Sequence, residues 1–148
     1  MEIRKIDIKS PYINQLIDLS IEWEKEDSCQ GYISNNIDTF KDKEIYVMLH
    51  GDKVIAYLFG YFEKSQRKNT VQNLDDVIFE VDELFVIKEY RNKGIGKELY
   101  EFVENDIRNK TSLILLSTAT KDYKKILHFY IDELGLTFWN ARLFKRLK

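Results

Sequence analysis

Proline occurs once in the 148 residues, at Pro11, and cysteine once, at Cys29. A single thiol excludes an intramolecular disulfide and suits a reducing compartment, and Cys29 reads as a free, unreactive side chain. With one proline and six glycines there is no Pro/Gly-rich linker, and the length suits one core rather than two, so residues 1–148 are expected to form a single domain. The two histidines, His50 and His128, lie far apart without a companion His or Cys at ligand spacing, and no metal is expected. No run approaches the ~20 apolar residues of a membrane span. The alternating N-terminus, Met1 to Ile8, reads as a strand rather than a secretion signal, so a cytoplasmic protein without a membrane partner is expected. The net charge of −2 gives no electrostatic reason for a nucleic-acid partner. Hydrophobic residues at 44% and charged residues at 32% exclude a disordered chain.

What is present is a regular alternation of elements. Ser10-Pro11 reads as a helix start, Ser as N-cap and Pro at the first helical position, with Tyr12, Leu16, Leu19 and Trp23 stacked along a helix to about Lys25. A short second helix is predicted over Ile33–Lys41. Ile45–Leu49 and Val54–Phe62 flank a tight turn and read as a hairpin, and Val77–Ile87 follows as a further antiparallel strand. Ile95, Leu99, Phe102, Val103 and Ile107 define one face of a helix to about Asn109. The apolar run Leu113–Leu116 suits a central strand buried on both faces. A last helix, stopped at Gly135, carries Tyr123, Ile126, Leu127, Tyr130, Ile131 and Leu134 on one side, and Leu136–Leu147 reads as a final strand. The order β-α-α-β-β-β-α-β-α-β describes a mixed α/β domain, a mostly antiparallel mixed sheet flanked by helices.

Between the strand ending at Ile87 and the helix beginning near Gly94 runs Arg91-Asn92-Lys93-Gly94-Ile95-Gly96-Lys97. A glycine-rich turn feeding a helix N-terminus is an anion trap. Its N–H groups lack intrahelical partners, the helix dipole adds roughly +0.5 charge, and glycine lets a phosphate approach the main chain. Arg91, Lys93 and Lys97 add cations, and the combination suits a pyrophosphate. A Walker A loop would need glycine at Arg91 and Ser or Thr at Glu98, and a dinucleotide fingerprint would need glycine at Leu99. Both nucleotide readings fail.

The remaining pattern, Arg-x-x-Gly-x-Gly within Leu84-Phe85-Val86-Ile87-Lys88-Glu89-Tyr90-Arg91-Asn92-Lys93-Gly94-Ile95-Gly96, resembles the acyl-CoA signature of the GNAT superfamily of N-acetyltransferases. The order of elements also resembles that family's, except that only thirteen residues follow Gly135, where the family usually has a two-strand hairpin. The far edge of the sheet is then narrower, or completed by a second copy of the chain in a homodimer. The resemblance implies acetyl-CoA as co-substrate, no metal, and a small-molecule amine acceptor. It implies a cofactor site over Arg91, Asn92, Lys93, Gly94, Ile95, Gly96 and Lys97, with the pantetheine arm on the main chain of Leu84, Phe85 and Val86. Tyr123 stands where the family often places a cofactor-contacting Asn.

Amide formation from a thioester requires a deprotonated amine, a stabilised oxyanion and a protonated leaving thiolate. The strand acids Glu80, Asp82 and Glu83 are the candidate bases or amine anchors, and strand alternation implies that they cannot all face one site. The segment Val81 to Val86 resembles the polyamine-acetylating branch, in which an acidic pair precedes the apolar triplet, and this brings Glu83 and Asp82 forward. The ending Trp139 to Lys145 also resembles the tail of that branch. The Phe129-Tyr130 pair, followed by Leu134-Gly135 with one extra residue between, resembles the family's general-acid tyrosine motif and nominates Tyr130. Glu22, Glu24, Glu26, Asp27, Asp75 and Asp76 could add an acidic cleft for a cationic amine. The expected activity is acetyl transfer from acetyl-CoA to a primary amine in a ternary complex. The alternatives are a non-catalytic acyl-CoA-binding module, or acetylation of a protein N-terminus or an amino acid.

Overall fold

A computed structural model describes all of residues 1–148. Five strands, β1 (Glu2–Ile6), β2 (Glu44–His50), β3 (Lys53–Lys64), β4 (Val77–Val86) and β5 (Leu113–Leu116), form one sheet in sequence order. The first four are antiparallel neighbours and β5 runs parallel to β4. Alternation divides the sheet into two apolar faces. Tyr57, Phe59 and Phe85 face α1 (Ile13–Glu26), whose Trp23 ring lies 4.9 Å from that of Phe85. Tyr46 and Val86 face α2 (Ile95–Ile107), where Phe102 lies 6.4 Å from Tyr46. Of the stripe read in the sequence, α2 buries Ile95, Leu99, Val103 and Ile107, together with Tyr100, while Phe102 is exposed at its rim.

Two irregularities of β4 set up the site. Phe59 pairs with Glu83 and Gly60 with Val81, so Asp82 is a bulge residue without a partner on β3. Gly60 permits this, because a Cβ there would collide with the carbonyl oxygen of Glu80. On its other side β4 pairs with β5 only over Ile78–Val81. From Asp82 onward the two parallel strands splay apart.

Four expectations are corrected. The second helix over Ile33–Lys41 is a 3₁₀ turn, Ile37–Phe40, because Asn36 caps it by accepting from the Asp38 N–H and its extended backbone cuts off what precedes. The first helix begins at Ile13 rather than at Pro11, since Ser10 uses its hydroxyl and carbonyl to close a preceding turn onto the Tyr12 and Ile13 N–H groups. The run Leu113–Leu116 is half-buried, not covered on both faces, because nothing packs along the outer edge of β5. The final strand does not form. Residues 137–148 make no backbone hydrogen bond, and Leu143 and Phe144 are 94% and 78% exposed. Adjacent Leu143 and Phe144 point to opposite sides of an extended chain, and Arg142, Lys145 and Arg146 flank them, so the tail offers no one-sided apolar face to bury.

Candidate active site

The glycine turn has the geometry of an anion cradle. After a 3₁₀ turn over Lys88–Tyr90, Asn92 and Gly94 adopt left-handed φ values of 60° and 80°, and Gly94 is the N-cap of α2. The first intrahelical bond is Glu98 N–H to the Gly94 carbonyl, 2.9 Å, and no side chain caps the helix. The N–H groups of Ile95, Gly96 and Lys97 therefore project from the turn at the positive end of the dipole, which fits a pyrophosphate. Gly96 lies where a Cβ would stand 3.4 Å from Phe129 Cζ and 3.5 Å from Val86 Cγ2, at the meeting of α2, β4 and the last helix.

The three cations are not equivalent. Arg91 turns inward: Nε donates to the Val86 carbonyl at 2.8 Å and Nη2 donates to both carboxylate oxygens of Glu26, at 2.8 and 3.0 Å. Lys93 Nζ folds back onto the Glu89 carbonyl at 2.7 Å, and Lys97 lies 3.8 Å from Glu101. Only the lysines are free to swing toward a phosphate.

The splay leaves main-chain groups of β4 without ladder partners. Ile87 N–H donates to the Ile55 carbonyl across β3, so the N–H and C=O of Val86, and by alternation those of Leu84, point the other way, into the splay. Those of Phe85 point toward Tyr57 on β3. With the Val86 carbonyl taken by Arg91, the Val86 N–H and the main chain of Leu84, rather than Phe85, face an arm lying between β4 and β5.

The bulge regroups the strand acids. Glu83 stands opposite Phe59 and Glu80 opposite Tyr61, two residues apart on β3, so both acids face α1. Simple alternation in β4 had separated them. Glu83 is the more deeply set: its Oε2 accepts from Tyr57 Oη and from Asn35 Nδ2, each at 2.9 Å. Burial raises its carboxyl above the ordinary value, against the lowering effect of its donors. Tyr32 Oη is buried near this cluster without a hydrogen bond. Glu80 is likewise raised by burial, helped by the charges of Glu63 and Asp82. Asp82 is ion-paired with Lys43, whose Nζ also lies 4.2 Å from the Tyr61 ring centroid.

Tyr130 lies on the last helix, α3 (Tyr123–Leu127), which continues as a π-helical turn over His128–Glu133. Leu134 N–H reaches the Phe129 carbonyl, an i to i+5 bond, so the residue that is extra before Leu134-Gly135 is absorbed as a widened turn. Burial pushes the Tyr130 hydroxyl up to about 12, with Cys29 nearby adding to the shift. Tyr123 is 58% exposed at the start of α3.

Sequence reasoning missed the loop that joins these groups. Gln30 N–H donates to the Ala119 carbonyl and Lys121 N–H to the Ser28 carbonyl, both at 2.8 Å, tying the segment after α1 to the chain leaving β5. The loop carries Cys29 toward Tyr130, and Tyr32 and Asn35 toward Glu83. The acidic residues read as a cleft are mostly occupied elsewhere: Glu22 by Lys25, Glu24 by Ser34, Glu26 by Arg91, Asp27 by Lys121, Asp75 by Lys64, and Asp76 by the Asn73 N–H.

The acetyltransferase (GNAT) family model matches residues 11–136. No curated protein matches the sequence. Among solved structures, an aminoglycoside acetyltransferase from an uncultured soil metagenomic sample, in complex with trehalose, aligns with a TM-score of 0.72 at 15% identity, over 99% of this chain and 96% of that one. Another aminoglycoside acetyltransferase from an uncultured soil metagenomic sample gives 0.73 at 13% identity, over 99% and 98%. The ribosomal-protein-alanine N-acetyltransferase of Brucella melitensis biovar Abortus 2308 gives 0.69 at 12% identity, over 99% and 100%. At these identities what is shared is the fold. A parallel strand pair that splays beside an uncapped glycine turn is the setting of a CoA-dependent acyl transfer, and the chain belongs to the acetyltransferase (GNAT) family. By class it is an acyl-CoA-dependent N-acetyltransferase.

Proposed function

We propose that residues 1–148 act as one domain that transfers the acetyl group of acetyl-CoA to the primary amine of a small cationic acceptor, directly and in a ternary complex. The observation that carries this reading is the placement of Glu83, a half-buried carboxyl whose proton affinity is raised, on β4 beside the splay. The first-turn N–H groups of α2, with Lys93 and Lys97, bind the pyrophosphate. The main chain of Leu84 and the N–H of Val86 hold the pantetheine arm. Glu83, directly or through a water, takes the proton of the attacking amine, whose ordinary pKa is near ~10 by analogy with lysine. As the new C–N bond forms and the C–S bond breaks, Tyr130 gives its phenolic proton to the leaving thiolate. A hydroxyl pushed up to about 12 is protonated at every assay pH, which a general acid requires. Glu80, on the same face, supplies negative charge for a cationic acceptor.

Thiol release from acetyl-CoA with a mixed panel of small amines, aminoglycosides and polyamines among them, tests the proposal. Acceptor-dependent thiol release is expected, with the acetylated amine found by mass spectrometry. Tight acetyl-CoA binding without turnover on any amine would make the protein a binding module instead.

A further inference from the structure

Resting on the reading of Glu83 as the base, we propose that Asn35 is a positioning residue that fixes the Glu83 carboxylate and keeps it ionised for proton abstraction. Asn35 Nδ2 donates to Glu83 Oε2 at 2.9 Å across 48 positions of sequence, and Tyr57 Oη donates to the same oxygen at 2.9 Å from the sheet below. Two donors on one oxygen set the plane of the carboxyl group. They leave Oε1, which has no hydrogen bond within the chain, as the oxygen that meets the acceptor.

Asn35 suits this task because its own placement does not depend on its side chain. Its backbone N–H donates to Ser20 Oγ at 2.9 Å, and Ser20 Oγ donates to the Ile17 carbonyl at 2.7 Å, which fixes residue 35 to α1. Asn35 is 9% exposed, so its amide makes this bond out of competing water. The other groups facing Glu83 are Tyr57 on β3, a donor, Tyr32 on the loop, whose hydroxyl lies near without a hydrogen bond, and Asp82 on β4, whose charge works against ionisation. Asn35 is the neutral donor among them that no titration removes.

The sign follows from the bond. A donor to the ionised form lowers a carboxyl pKa, so removing the amide raises that of Glu83. A base works only when ionised, and the acid limb of the rate profile therefore moves to higher pH. Asn35→Ala keeps the backbone tie to Ser20, and near-isosteric Asn35→Asp keeps the volume while replacing the donor by an acceptor. Each is expected to move the acid limb of kcat/KM up by about one pH unit, with the KM for acetyl-CoA unchanged. Titration of the Glu83 side-chain carbon by NMR should show the same shift without catalysis. A wild-type titration of Glu83 in folded Asn35→Ala, or a lowered rate with an unmoved acid limb, would overturn the inference. If Glu83→Gln instead retains the wild-type acid limb, the base assignment fails, and the carbon titration still decides separately whether Asn35 holds the carboxylate.

Discussion

Arg91 in the glycine turn reaches back to Glu26 at the end of α1, donating to both carboxylate oxygens at 2.8 and 3.0 Å while its Nε holds the Val86 carbonyl. The residue that opens the Arg-x-x-Gly-x-Gly pattern therefore braces the turn against β4 and α1. Its guanidinium also lies 5.3 Å from the Phe85 ring, which shields one side of the bond. Arg91→Ala should weaken acetyl-CoA binding about tenfold, the scale of one charge-assisted hydrogen bond. Because the brace is internal, the loss should persist at high salt, whereas a direct phosphate contact would be screened. Calorimetry at two ionic strengths checks this, and an unchanged Kd would remove Arg91 from the cofactor site.

The two glycines should fail in different ways. Gly94 sits at φ +80°, so Gly94→Ala meets open space but forces a side chain into the left-handed region, at roughly 1–2 kcal/mol. Both melting temperature and acetyl-CoA affinity should fall. Gly96 is helical, and the Cβ of Gly96→Ala makes ordinary contacts with Phe129 and Val86, so the fold should hold while the phosphate approach is obstructed. Thermal melts beside binding isotherms separate the two. Equal melting losses in both variants would mean that Gly96 serves packing alone.

These glycines were legible because a turn needing left-handed backbone and close approach shows in residue identity. The stripe of α2 and the hairpin were legible for the same reason, since periodicity is a local property. Asn35 and Tyr57 were not, because their meeting at Glu83 depends on a loop fold and a cross-strand register that adjacent residues do not encode. The regrouping of Glu80 with Glu83 was hidden likewise: it follows from one unpaired residue, Asp82, and from the absent side chain of Gly60 on another strand. The tail was misread because an apolar run makes a strand only where it has one face to bury, and adjacent Leu143 and Phe144 give none, although β5 leaves a free edge.

Cys29 adds to the raised proton affinity of the Tyr130 hydroxyl, and the roles of the two can be told apart. Tyr130→Phe should lower turnover by ~10²-fold or more while leaving acetyl-CoA affinity nearly unchanged, since the hydroxyl acts on the developing thiolate. Cys29→Ala should keep turnover within about twofold if transfer is direct, because no acyl-enzyme is then formed. Loss of activity in Cys29→Ala with a normal melt would argue for a covalent intermediate. Since the hydroxyl is raised to about 12, Tyr130 stays protonated up to that pH, and no loss of rate on the basic side below it should trace to its ionisation.

The strand acids offer the sharpest separation of roles. Glu83 is raised by burial, so the acid limb of the pH profile should lie above the ordinary glutamate value of 4.5, with activity present above that pKa and lost as pH falls through it. Glu83→Gln should abolish that limb and reduce kcat, since the amide keeps the shape but takes no proton. Glu80→Gln should leave kcat nearly intact and raise the acceptor KM, the mark of lost uniform binding, with the effect growing as the acceptor carries more charge. Asp82→Asn should do least, because Lys43 already neutralises Asp82 and the bulge keeps it off the β3 register. Steady-state kinetics across pH on the three variants decides among them. If the acid limb disappears in Glu80→Gln rather than in Glu83→Gln, proton abstraction belongs to Glu80, and Glu83 becomes the anchor for the acceptor.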